Sequence, residues 1–165
     1  MPRATVAPLF LVALAGCWSA PEDPEGSLVG LRQVDGRLEF WAGRECAGVA
    51  GVDVTVGEDA STDAQEWGMV ADAGTGTVET VVVGQPPPGF SGDAHTPTSG
   101  EQGPVTVVVR GEDGTAFSRT TWSGMDLAPP ADDPSAWLTP DGEWVTEGDA
   151  ERLADDGIVA PLCSS

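Results

Sequence analysis

The sequence predicts a mainly β protein: a small antiparallel β-sandwich or barrel-like domain with long loops and at most one short C-terminal helix. Three observations carry this expectation. Asp35-Gly36 lies between two short runs, residues 28–33 and 37–42, and such a pair favours a type I′ hairpin because both central residues need positive φ. Val52, Val54 and Val56 alternate with Asp53 and Thr55, the period-two signature of a half-buried strand. Residues 105–110 and 115–122 flank Gly111-Glu112-Asp113-Gly114, a second hairpin signal. Val107, Val108 and Val109 are consecutive, so this strand is expected to be buried on both faces. Residues 78–83 form a further apolar run, which brings the expected strands to six.

The helical signal is confined to residues 146–156, where Thr146 is placed to cap, Asp149 lies three residues on and Gly157 follows as a terminator. Two long connections remain. Residues 84–103 contain Pro86-Pro87-Pro88-Gly89 and many Ser, Thr and Gly, a composition that favours disorder. Residues 125–136 are rich in Pro and Asp.

The chain has 165 residues, enough for one domain with a core of its own. Its 27 acids, seven basic residues and single histidine give a formal charge of −20, which repels phosphate and excludes nucleic acid as a partner. All seven basic residues are Arg. The absence of Lys and Tyr removes lysine and tyrosine catalysis, and with the missing Asn and the high Gly and Pro content it matches GC-rich codon usage.

The N-terminus reads as an address. Arg3 supplies a minimal positive region, and residues 4–16 then carry no charge and are mostly apolar. The run is shorter than the roughly 20 residues a transmembrane helix needs and suits the apolar core of a signal peptide. Leu14-Ala15-Gly16-Cys17 follows. It resembles the lipobox of bacterial lipoproteins: an aliphatic residue, two small ones, then Cys. By that resemblance residues 1–16 are removed and Cys17 carries diacylglycerol through a thioether. The whole chain is similar to small secreted lipoproteins of high-GC Gram-positive bacteria, which implies attachment to the outer face of the cytoplasmic membrane. Two acyl chains would hold it firmly, since each buried CH₂ contributes about 0.8 kcal/mol. Losing Arg3 with the leader takes the charge from −20 to −21, so lipid and not charge must bind the membrane. The rest of residues 17–26 is a Pro-rich acidic tether with Trp18 at headgroup level, and residues 27–165 form a single β-rich domain.

If Cys17 takes lipid, Cys46 and Cys163 remain, and an even remainder in an exported chain predicts one disulfide. Such a bridge would close a long loop and contribute about 4–5 kcal/mol in the chain-entropy model. Free thiols or an intermolecular bond are the alternatives.

No catalytic motif emerges. His95, near Ser91 and Asp93, invites a triad reading but lies in a loop of disorder-prone composition. Carboxylate pairs such as Glu112/Asp113 and Asp132/Asp133 are inevitable among 27 acids. Ca²⁺ is the one cofactor the acidic loops 57–63 and 132–141 would suit, although no Asp-x-Asp-x-Asp-Gly pattern occurs. Trp41 and Trp122 are expected to pack in strands. Trp67, Trp137 and Trp144 are expected in loops or short segments and would make a sugar-binding patch if exposed together; for Trp137 and Trp144 the competing expectation is that they cover one open end or edge of the sheet. The reading is therefore a lipid-anchored, non-enzymatic binding or interaction domain, with an unknown protein as partner. The alternative is a carbohydrate or cell-wall-binding module.

Overall fold

The structure is a computed structural model that describes residues 30–58, 63–95, 97, 103–149 and 152. Ten strands build two antiparallel five-stranded sheets. The first is ordered β10-β9-β1-β2-β5, with β1 (Gly30–Val34), β2 (Arg37–Val49), β5 (Gly76–Val82), β9 (Trp137–Leu138) and β10 (Trp144–Val145). The second is ordered β6-β4-β3-β7-β8, with β3 (Gly51–Val56), β4 (Gln65–Ala71), β6 (Phe90–Gly92), β7 (Val105–Arg110) and β8 (Ala116–Trp122). This is a β-sandwich, as the sequence predicts.

Both hairpins form. Asp35 and Gly36 have φ of 51° and 78°, the conformation the β1–β2 turn was expected to need. The β7–β8 turn closes through a hydrogen bond from Gly111 N to the Thr115 carbonyl. Thr146 Oγ1 accepts from Asp149 N at 3.2 Å, capping the short helical turn at residues 147–149.

Three findings differ from expectation. Strand β2 continues to Val49, far beyond residue 42. Its register against β5 shifts between Trp41 and Cys46, so the extra residues form a bulge. Trp67, expected in a loop or short segment, lies in the seven-residue β4, whereas Trp137 and Trp144 lie in the two-residue β9 and β10 at the edge of the first sheet. Residues 84–95, expected to be part of a disordered loop, contain a turn bonded from Gln85 N to the Val82 carbonyl and then β6.

The inner faces of the sheets make one core. Leu38 and Phe40 of β2 meet Val52 and Val54 of β3 and Val107 and Val109 of β7, all essentially inaccessible. Trp122 spans the layers: its indole nitrogen donates to the Leu138 carbonyl at 3.0 Å, tying β8 to β9. Burying each such side chain stabilises the fold by about 1.5–3 kcal/mol.

A second cluster lies on the opposite face of the first sheet. Leu31 pairs with Phe40 in the core, so their neighbours Gly30, Arg32, Glu39 and Trp41 project the other way. There Trp41 stacks on Trp137 at 5.8 Å, and the Arg32 guanidinium sits 3.8 Å from the Trp137 ring centroid. Arg32 also pairs with Glu39 at 2.9 Å and donates to the Ser135 carbonyl at 2.8 Å. Gly30 is required beneath this stack, because a Cβ there would fall 2.5 Å from Trp137 Cβ.

Arg32 thus joins three elements with its charge mostly shielded. Arg32→Ala is expected to lower the unfolding free energy by about 2 kcal/mol, combining the cation–π contact with charged hydrogen bonds. Urea denaturation measures it. Arg32→Lys should recover only part, since an ammonium cannot reproduce the planar fork. A loss of under about 0.5 kcal/mol, typical of an inert surface site, would contradict the assignment.

Candidate functional site

Among the described residues, the tryptophans singled out by sequence are not brought together into one patch. Leu14, Ala15, Gly16, Cys17 and Cys163 lie outside the described residues. Cys46 is fully buried in β2 and is disulfide-bonded. Trp67 and Trp137 are each 1% exposed and belong to different sheets, while Trp144 is half-buried against the core. Shared exposure, the condition for a tryptophan platform, is therefore not met. Burial has a physical cause in each case: Trp67 points inward from β4, its indole nitrogen donating to the Asp93 carbonyl at 2.7 Å, and Trp137 is clamped between Trp41 and Arg32.

His95 is exposed. The neighbouring Ser91 hydroxyl donates to Asp72 at 2.5 Å, a carboxylate the sequence motif did not contain.

The acids have a structural use. Asp126 accepts from Ala128 N, Asp133 from the Ser135 amide and hydroxyl, and Asp141 from the Thr139 hydroxyl. Each stiffens a turn two residues away. In the loops considered for Ca²⁺, Asp133 and Asp141 are held this way, and among the described residues no group of three His, Cys, Asp or Glu side chains is placed to hold a metal.

One concavity among the described residues is a trough of about 460 Å³ on the outer face of the second sheet. Alternation puts it there. Val52, Val54 and Val56 face the core, so Asp53 and Thr55 face out, and β4 presents Glu66 and Gly68 beside them. From β7, Thr106 and Val108 form the floor, only 6% and 7% exposed although they face away from the core. Thr106 and Thr121 hydroxyls meet at 3.0 Å. Arg110 and Arg119 rise at the β7–β8 side, and Arg110 Nε donates to Asp53 Oδ2 at 2.6 Å. The depth comes from Gly68: a Cβ there would stand 3.4 Å from Asp53 Oδ1, inside the space that is open.

The trough is also the place where charge nearly balances. Three carboxylates, Asp53, Glu66 and Asp93, face two guanidiniums, whereas the whole chain has 27 acids to seven arginines. Sequence reading found Asp53 and Thr55 as the polar half of an alternating strand. It missed Arg110 and Arg119, because their convergence depends on the β3–β7–β8 register.

No family model matches the chain, and no curated protein or solved structure matches it.

One titration checks the turn chemistry. The Thr115 hydroxyl, and then its amide, donate to Asp113 and hold that carboxyl below its ordinary value. A depressed folded pKa means the turn gains its stabilisation above the unfolded pKa and loses it as pH falls through the folded one. Carboxyl NMR should place the Asp113 midpoint below an ordinary aspartate near 3.9, and Thr115→Val should return it upward. A midpoint at or above the ordinary value would refute the bond.

Proposed function

We propose that this chain is an extracytoplasmic domain anchored to the cell membrane by lipid on Cys17, and that it acts in binding or interaction and not in catalysis. The observation that carries the reading is Leu14-Ala15-Gly16-Cys17 directly after the uncharged apolar run. Cys46 supports it. A buried cysteine in a disulfide belongs to an oxidising compartment, and with Cys17 acylated the one remaining partner for Cys46 is Cys163. No helix among the described residues is long and apolar enough to cross a membrane. The charge of the mature chain keeps the domain soluble and repels it from anionic headgroups, which leaves attachment to the acyl chains.

A rigid sheet with side chains fixed by packing suits recognition.

Cell fractionation tests the anchor. The wild-type protein should partition with membranes and incorporate labelled palmitate. Cys17→Ala should take up no label and appear either as uncleaved precursor or in the medium. A Cys17→Ala protein that is processed normally yet stays with the membrane would overturn the proposal.

A further inference from the structure

Building on the reading of the chain as a binding module, we propose that the trough on the outer face of the second sheet binds a neutral, hydroxyl-rich glycan chain. Position, charge and hydrogen-bonding capacity point the same way. The trough lies over β4, β3 and β7, where both edges of β3 are already laddered to its neighbours. An extended peptide gains affinity mainly by adding a strand at a free sheet edge, so this surface must be read through side chains. Its volume falls within the roughly 300–1,000 Å³ of small-ligand sites.

The side chains suit a ligand without charge. Arg110 and Asp53 neutralise each other, yet both retain capacity. A guanidinium has five N–H donors, and Arg110 directs two, toward Asp53 and the Gly114 carbonyl. Glu66 adds acceptors, and Thr55 a hydroxyl that both donates and accepts. Sugar hydroxyls also donate and accept, so they match a mixed lining better than a cation or an anion does. A polyanion meets a chain of formal charge −20 and is repelled before it arrives. Apart from Asp93, the lining side chains stand on strands, which hold them in place without a ligand.

The test uses the intact mature protein in mild detergent, isotopically labelled for NMR. It is titrated with neutral tetrasaccharides of glucose, mannose and N-acetylglucosamine, and with polyglycerol phosphate as the anionic comparison. At least one neutral tetrasaccharide should bind, with amide shifts centred on Asp53, Gly68 and Val108. Gly68→Leu fills the trough and should weaken binding by about tenfold or more. Glu66→Gln, an exposed and mild change, should weaken it by about threefold with melting temperature unchanged. The proposal falls if no neutral tetrasaccharide binds, if polyglycerol phosphate alone binds, or if both variants bind as the parent does. Such a result, with Cys17 still acylated in cells, would remove the glycan and leave the anchored module standing.

Discussion

The fold depends on one stretch of backbone, residues 37–56, which runs through both sheets with Ala50 as the single residue outside a strand. As β2 it pairs with β1 and β5; as β3 it pairs with β4 and β7. The transfer between layers occurs at Ala50, two residues after Gly48, whose φ of 81° would strain a side-chain-bearing residue by about 1–2 kcal/mol. Ala50 is then gripped by the second sheet, donating to the Arg110 carbonyl at 2.8 Å and accepting from Ala71 N at 2.9 Å. Because side chains alternate, a slip of one residue on either side of this corner would turn Val52, Val54 and Val56 outward and Asp53 inward. Core and trough are therefore two consequences of one register.

That constraint explains why the outer face of the second sheet is polar at the trough. The core takes Val52, Val54, Val56, Trp67, Trp122 and Phe40, and leaves the outer face of the second sheet to Asp53, Thr55, Glu66 and the two arginines. Elsewhere the acids brace turns, as Asp113, Asp126, Asp133 and Asp141 do. The large negative charge is thus distributed through the loops, while the trough stays close to neutral.

The parts of this arrangement that were legible in the sequence are those with local causes. Asp35-Gly36, the alternating valines of β3, the apolar β7 and the Thr146 cap each follow from a few adjacent residues. The second half of β2 was hidden because Gly43 and Gly48 break its alternation and the bulge displaces its register. Strands β9 and β10 hold two residues each, too few for any period to show, and exist because Trp137 is seated on Trp41 and under Arg32. Whether a tryptophan is buried or exposed depends on such long-range neighbours. So does the trough, whose members come from residues 53–119 and meet only through strand order.

Cys46 sits in that same continuous stretch, fully buried opposite Val78, so its disulfide is anchored at the most constrained part of the molecule. On the proposed reading, the three cysteines of the chain divide between an anchor and a bridge. Peptide mapping by mass spectrometry of the protein extracted from membranes, without reductant, tests this directly. The account predicts an N-terminal peptide beginning at diacylglyceryl-modified Cys17 and a separate peptide pair joining Cys46 to Cys163. A bond between Cys17 and Cys46, or an unmodified Cys17 within a retained leader, would contradict it.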